Sequence, residues 1–132
     1  MAAPARALLI RGPWIEQILA GRKTWEMRTR ATRFRETIGL IPSGSGTVVG
    51  TVELVGCEGP LDDDVLRGAT RRHGIPKADF DLPGDNRYRY AWVLRHPQRL
   101  RRPVPYTHPS GAVIWVTLAD NVRRAMARQL RG

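Results

Sequence analysis

The sequence predicts a single small α+β domain that is dominated by strands and turns. Its 132 residues, 42% of them hydrophobic, suffice to bury a core without metals or disulfides. The 13 glycines and 10 prolines indicate many turns and argue against a helical bundle. Val48–Val55 carries apolar residues on both faces of a predicted strand, as in a barrel wall. We expect one domain over residues 1–132, with a core at about 6–118 and a C-terminal helix at about 119–131.

The N-terminal third predicts a strand, a short helix and a second strand in close succession. Ala7–Ile10 is an apolar run that is typical of a buried strand. Pro13–Ala20 predicts a helix with an apolar stripe, and Gly21 is well placed to end it. Thr24–Arg28 then alternates as a strand does.

The middle of the chain predicts a hairpin followed by a helix. Thr37–Ile41 and Val48–Val55 are strands, and the turn Pro42–Gly46 joins them. That turn is rich in glycine but lacks the Gly-Lys-Ser/Thr ending of a phosphate loop. Leu61–His73 begins with acidic residues and ends with basic ones, which predicts a helix whose charges complement its dipole.

The C-terminal part predicts two more strands and the final helix. Residues 74–87 form a long irregular connection that would suit a lid over a site. Tyr88–Leu94 is a central strand, a proline-rich loop covers 103–111, and Ala112–Leu118 is the last strand. From Asp120 onward the apolar residues recur at helical spacing.

The strand Thr24–Arg28 separates a polar face from an apolar one. Glu26 and Arg28 share the first face and Trp25 and Met27 the second, because side chains alternate along a strand. A carboxylate and a guanidinium two residues apart can pair and present donor and acceptor groups to a ligand. A solvated surface ion pair is the structural alternative.

The charge balance favours a polyanionic partner. The 22 basic and 12 acidic residues give a formal net charge of +10, which attracts nucleic acid through its phosphates. All the basic residues except Lys23 and Lys77 are arginine, so a compositional bias explains part of the excess. The same bias singles out Lys23, since a compact amine that can lose its proton is something arginine cannot replace.

A second basic segment follows the strand. Arg30, Arg33 and Arg35 alternate with small polar residues and with Phe34. Such a loop would contact phosphates through its arginines and stack Phe34 on a base, although a solvated connection has the same composition.

Other chemistries receive little support from the sequence. Cys57 is the only cysteine, so no internal disulfide forms, and no base at a telling spacing marks it as a nucleophile. The three histidines are widely separated, and we predict neither a metal nor a cofactor. The N-terminus lacks a signal peptide and no apolar run would span a membrane, so we expect a cytoplasmic protein with no membrane partner.

Taken together, these segments resemble the ASCH domain family of the PUA-like superfamily, small β-barrels that handle RNA. The block Leu19–Arg28, which contains Gly-Arg-Lys-Thr-x-Glu-x-Arg, is the most specific part of the resemblance. The other matching segments are Leu8–Ile10, Pro13-Trp14, Val49–Val52, Ala91–Leu94, Pro103-Val104, Gly111 and Ile114-Trp115. The resemblance implies a closed or nearly closed barrel with short helices at its mouth. It also implies a cleft lined by Lys23, Glu26 and Arg28 that binds a nucleotide, with Ser43 and Trp92 as weaker additions.

Two functions are consistent with this resemblance. The first is a nucleic-acid-binding domain, with single-stranded or structured RNA favoured over DNA, in which Lys23, Glu26, Arg28, Arg30, Arg33, Arg35, Ser43 and Trp92 contact the ligand. The alternative is a small hydrolase of RNA or of a modified nucleoside such as N4-acetylcytidine, with Lys23 and Glu26 as its catalytic residues. Relatives with that amidohydrolase activity carry a threonine three residues after the lysine, where this chain has Glu26. A third hypothesis is a protein-interaction domain whose arginines only reflect composition.

Overall fold

A computed structural model describes residues 3–80 and 87–130 of the chain. The strands are β1 (Arg6–Ile10), β2 (Trp25–Arg28), β3 (Thr37–Pro42), β4 (Thr47–Glu58), β5 (Tyr90–Pro105) and β6 (Trp115–Thr117). The α-helices are α1 (Trp14–Leu19), α2 (Asp63–Gly68), α3 (Thr70–His73) and α4 (Asp120–Leu130), and a 3₁₀ turn covers Lys77–Phe80. The middle of the predicted lid, residues 81–86, lies outside the described residues, as does the predicted end of the last helix at Arg131.

All six strands belong to one curved sheet in the order β2-β5-β4-β3-β1-β6. The neighbours β1 and β3 are parallel and every other pair is antiparallel. The sheet is a half-barrel with short helices around it, and this confirms the predicted α+β, PUA-like barrel fold with its terminal helix. The hairpin predicted at Pro42–Gly46 joins β3 to β4 as expected.

Two apolar clusters fill the half-barrel. Val48, Val52 and Leu54 lie an even number of residues apart and so share one face of the long strand β4. Val48 packs in the first cluster, and Val52 and Leu54 pack in the second. The first cluster is covered by the apolar stripe of α4, namely Val122, Met126 and Leu130. The second is covered by Ile15 and Ile18 of α1. No helix among the described residues is long and apolar enough to cross a membrane.

The strand predicted at Tyr88–Leu94 is too short, since β5 continues to Pro105. Its prolines are tolerated because β2 pairs only with Tyr90–Val93, so the outer edge beyond that point makes no ladder hydrogen bonds with β2. On the inner edge, Thr51 pairs with Gln98 and Glu53 with Arg95, which leaves an extra residue in β5 at His96 and Pro97. His96 accordingly has a positive φ of 54°.

Two other boundaries differ from the predictions. The helix predicted at Leu61–His73 is broken at Ala69, whose φ of −110° and ψ of 22° leave the helical region and separate α2 from α3. The strand predicted at Ala112–Leu118 shrinks to β6 (Trp115–Thr117), because a turn in which Ala112 N–H donates to the Pro109 carbonyl precedes it.

Candidate functional site

An open cleft of about 450 Å³ lies beside β2. Its polar lining consists of Arg11, Lys23, Glu26, Arg28 and Ser43. Its apolar and aromatic lining consists of Leu9, Trp14, Met27, Ile75, Tyr88 and Val113. A cavity that combines aromatic walls with a few converging charged groups is the usual form of a ligand site.

The structure orients β2 as the alternation predicts. Trp25 and Met27 pack against Leu66 and Ala69 in a third small apolar cluster. Glu26 lies on the opposite side of the strand, next to the cleft, and it is buried although it carries a charge. Thr24, which precedes the strand, is exposed and does not line the cleft.

Lys23 is the most deeply buried charged group of the cleft, with only 3% of its surface exposed. Its Nζ donates hydrogen bonds to the backbone carbonyls of Trp25 at 2.7 Å and His73 at 2.6 Å. The Trp14 ring covers it, with its centroid 4.9 Å from Nζ. The ammonium group therefore has one N–H donor left. Its surroundings place that donor among Glu26, Trp14 and the cleft.

Burial lowers the pKa of the Lys23 amine, and the nearby Glu26 carboxylate opposes that shift. The carboxylate oxygen Oε1 lies 3.6 Å from Nζ, which is ion-pair distance but too long for a good hydrogen bond. The Arg28 guanidinium contributes to the lowering because it is a like charge. An anion that enters the cleft would therefore raise the pKa of Lys23 and favour its charged form.

Glu26 and Arg28 form a rigid pair on the polar face of β2. Arg28 Nε donates to Glu26 Oε2 at 3.1 Å, and Arg28 Nη2 lies at an ion-pair distance of 2.9 Å from the same oxygen. Nη2 also donates to the Leu9 carbonyl at 2.9 Å, so the side chain of β2 is tied to the backbone of β1 across the open side of the half-barrel. Glu26 Oε1 keeps acceptor capacity that faces the cleft, since Arg28 uses only Oε2.

Trp92 supports this pair from beneath and does not line the cleft. Its ring centroid is 5.5 Å from the Arg28 guanidinium carbon, and it stacks on Trp115 with centroids 5.7 Å apart. Its Nε1 donates to the Arg30 carbonyl at 2.9 Å. Only 4% of Trp92 is exposed, so its place is in the core as a positioning residue.

His73 fixes the far wall of the site although no pattern in the sequence pointed to it. The buried ring bonds the Leu66 carbonyl through Nε2 at 2.7 Å, and Nδ1 accepts from Ile75 N–H at 2.9 Å. These contacts require the neutral tautomer with its proton on Nε2. Burial lowers the pKa of His73, with Lys23 adding to the effect, so the ring stays neutral near pH 7.

The structure brings together some of the predicted site residues and separates others. Lys23, Glu26, Arg28 and Ser43 all line the cleft. Arg30, Arg33 and Arg35 are exposed on the loop after β2 and are not part of its lining. Phe34 has one face covered by the Arg6 guanidinium at 3.8 Å and meets Trp115 edge-on at 5.3 Å, so it packs against protein groups.

Several lining residues were not predicted as site residues. Arg11 and Tyr88 belong to segments without a recognisable motif, and Ile75 and Val113 reach the cleft only through the fold. Trp14 could have been predicted as a lining residue, because it begins the helix that ends shortly before Lys23. Its ring covers the Lys23 amine. Within residues 3–80 and 87–130, no three histidine, cysteine, aspartate or glutamate side chains come together as metal ligands.

A comparison with protein families identifies the class of protein to which this fold belongs. Residues 8–103 match the ASCH domain family, and this match spans most of the chain. The chain is therefore a member of the ASCH domain family, which confirms the resemblance. The matched region contains β2 and its polar face, whereas α4 lies beyond it.

Solved ASCH structures share the fold. An ASCH protein from Zymomonas mobilis superimposes with a TM-score of 0.68 at 17% identity, over 93% of each chain. A serine-to-alanine mutant of that protein gives a TM-score of 0.67 at 17% identity, over 97% of this chain and 98% of that one. Comparison with curated proteins yields no match.

Proposed function

We propose that this ASCH domain binds nucleic acid, RNA in preference to DNA, by holding one nucleotide in the cleft. The observation that carries the proposal is the buried pair of Lys23 and Glu26, joined by the partly buried Arg28, beside an open cavity. Burying a charged group costs free energy. Charged groups in such surroundings are concentrated at sites that bind or react with ligands. The PUA-like fold is generally linked to RNA binding, and the formal charge of +10 suits a polyanion.

Each group of the array has a role in this proposal. Lys23 and Arg28 donate to phosphate oxygens or to acceptors on the base, and Glu26 Oε1 accepts a proton from a base amino group. Ser43 adds a hydroxyl at the cleft wall. Trp14 offers a ring on which the base stacks. The arginines of the loop after β2 then contact the nucleic-acid strand where it leaves the cleft. Trp92 positions Arg28.

The test compares two double variants, each of which removes two positive charges. Labelled single-stranded RNA, a hairpin RNA and DNA of the same sequence are titrated at two salt concentrations by fluorescence anisotropy. Lys23→Ala with Arg28→Ala should weaken RNA binding by roughly a hundredfold, because two charge-assisted contacts are lost. Arg124→Ala with Arg128→Ala removes the same charge from the exposed face of α4 and should change little.

Three results would count against the proposal. They are the absence of RNA binding at low salt, equal losses in the two double variants, and tighter binding of DNA than of RNA. Circular dichroism of each variant verifies that the fold persists. These readouts also test the third hypothesis, since a protein-interaction domain would not depend on Lys23 and Arg28 for nucleic acid.

A second candidate function is hydrolysis of RNA or of a modified nucleoside. It is favoured by the buried Lys23 amine and the Glu26 carboxylate, 3.6 Å apart beside the cleft. In an amide such as N4-acetylcytidine, Glu26 would take a proton from water as the oxygen attacks the carbonyl carbon. Lys23 would stabilise the oxyanion, and the proton on Glu26 would pass to the departing amine as the C–N bond breaks. This route needs no threonine at the position of Glu26.

Product formation tests the second candidate directly. The protein is incubated with N4-acetylcytidine and, separately, with a long RNA, and products are followed by chromatography and gel electrophoresis. Activity that falls at least a hundredfold in Glu26→Gln supports hydrolysis by a general base. Neither product nor cleavage above the Glu26→Gln background would leave binding as the function.

A further inference from the structure

A second concave surface is lined by residues that neighbour cleft residues in the chain. This basic groove, of about 500 Å³, is lined by Gln17, Arg22, Thr70, Arg71 and Gly74. The guanidinium groups of Arg22 and Arg71 have no hydrogen-bond or ion-pair partner among the described residues, and both arginines are exposed. No carboxylate lines it within that part of the chain. Two unpaired guanidinium groups in a concavity favour an anion.

The basic groove and the cleft share one wall. Arg22 lines the groove and the next residue, Lys23, lines the cleft; likewise Gly74 lines the groove and Ile75 the cleft. Gly74 also packs directly against the Gln17 side chain and near the Trp14 ring, which belong to the groove and the cleft respectively. Because consecutive Cα atoms are about 3.8 Å apart, the cleft and the basic groove lie close together.

The backbone holds the wall in place. The Gln17 carbonyl accepts from the N–H groups of Arg22 and Lys23, both at 3.0 Å. The Arg72 carbonyl accepts from Thr24 N–H at 2.8 Å, and the His73 carbonyl accepts from Lys23 Nζ. The two arginines thus project from segments that are tied to each other and to Lys23. The floor holds one unused polar group, Thr70 Oγ1, which is buried without a hydrogen-bond partner in the described residues.

We propose that the basic groove binds the phosphate of a nucleotide adjacent to the one in the cleft, so that the ligand of this domain is a polynucleotide. This inference rests on the proposed function, since the cleft must hold the first nucleotide. Arg22 and Arg71 donate to the phosphate oxygens, and their charge replaces the counterions that the strand releases. A mononucleotide fills the cleft alone and makes no use of the groove.

The experiment measures binding of an eight-nucleotide single-stranded RNA as a function of salt. Arg22→Ala with Arg71→Ala should weaken binding roughly tenfold at low salt, as expected for a lost contact to a charged group. It should also reduce the slope of log K against log salt by about 0.7, the value for one phosphate contact on a single strand. The conservative variant Arg22→Lys with Arg71→Lys should retain the slope. Inhibition of this binding by a nucleoside monophosphate should be the same for the wild type and for both variants.

The matched control is Arg124→Ala with Arg128→Ala, which removes the same charge from α4. A loss in this control as large as in Arg22→Ala with Arg71→Ala would overturn the proposal in favour of a general charge effect. An unchanged slope of log K against log salt in Arg22→Ala with Arg71→Ala would overturn it as well. In that case a loss of RNA affinity in Lys23→Ala with Arg28→Ala would still support the proposed function. Absence of RNA binding by the wild type would remove both. Thermal unfolding monitors the fold, and a variant that unfolds is replaced by the Arg22→Gln, Arg71→Gln pair.

Discussion

The cleft and the loop that follows β2 both carry basic residues, yet the protein treats them in opposite ways. In the cleft, Lys23 donates to two backbone carbonyls, and Arg28 donates to Glu26 and to the Leu9 carbonyl. In the loop, Arg30 and Arg33 are exposed and have no ion-pair partner among the described residues. The first set is fixed in position before a ligand arrives, and the second is not.

This difference separates two ways in which cations serve binding. Fixed groups lose little side-chain entropy on binding and act in a water-poor setting, so they give affinity and geometric selectivity. Exposed arginines are screened by salt and give long-range attraction. Sequence composition treats both sets alike, and only their surroundings distinguish them.

Removal of Glu26 should have the largest effect on stability. Glu26→Ala leaves the buried Lys23 and the partly buried Arg28 without their shared counter-charge. Breaking a buried ion pair in this way costs about 3 kcal/mol of unfolding free energy. Urea denaturation followed by tryptophan fluorescence measures the change. Glu58→Ala, which removes an exposed carboxylate from the end of β4, is the control and should stay within about 0.5 kcal/mol. Equal effects would contradict the contrast.

Replacement of Lys23 should have the next largest effect on the unfolding free energy. Lys23→Met keeps the length of the side chain but leaves the Trp25 and His73 carbonyls without their donor, at a cost of about 2 kcal/mol. Because burial lowers the pKa of Lys23 below 10.5, the unfolded chain binds more protons than the folded one in the window below 10.5. The stability of the wild type should therefore rise relative to the variant as pH increases through that window.

The only other lysine supplies the control for this measurement. Lys77 is exposed on the 3₁₀ turn, so Lys77→Met should neither destabilise the protein nor change its alkaline pH profile. Urea denaturation at a series of alkaline pH values compares the three proteins. A pH profile of Lys23→Met that parallels the wild type would show that the lysine is not buried as described.

The strand alternation of β2 was enough to predict the polar face of the site. Period-two alternation places Glu26 and Arg28 together whatever the rest of the fold does. The deep burial of Lys23 was not predictable, because the lysine lies at a bend and its anchor, the His73 carbonyl, is 50 residues away in the chain. The same limit applies to Trp92, whose alternation is clear but whose place under Arg28 depends on the pairing of β2 with β5.

Elements with a strong local signal were predicted well, and those shaped by tertiary pairing were not. The stripe of α4 and the hairpin between β3 and β4 follow from spacing and turn residues alone. The extension of β5 past Pro97 depends on which edge of the strand is free, and the sequence does not reveal this. The break at Ala69 divides a helix whose charge pattern runs smoothly through it.

Mild acid should loosen the cleft through His73. Because the pKa of His73 is lowered by folding, the unfolded chain binds more protons than the folded one between that lowered pKa and 6.5. The unfolding free energy should therefore decrease as the pH falls through this window. A protonated Nδ1 can no longer accept from Ile75 N–H, which lines the same wall. Unfolding free energies from pH 7 to 5 should slope less in His73→Gln. His96→Gln, at an exposed position, should keep the wild-type slope.

The loop arginines should have the smallest effect on stability and a distinct effect on binding. Arg30→Ala, Arg33→Ala and Arg35→Ala together should leave the unfolding free energy within about 0.5 kcal/mol. Among the described residues, the Arg35 side chain is the one of the three that makes hydrogen bonds, and these go to carbonyls of its own loop. RNA affinity should fall about threefold at low salt and recover to the wild-type value at high salt, where screening removes long-range attraction. The loss in Lys23→Ala with Arg28→Ala should persist at high salt, because those contacts are direct and shielded from solvent. A loop effect that also persists at high salt would place these arginines in direct contact with the ligand, as the sequence predicts for them.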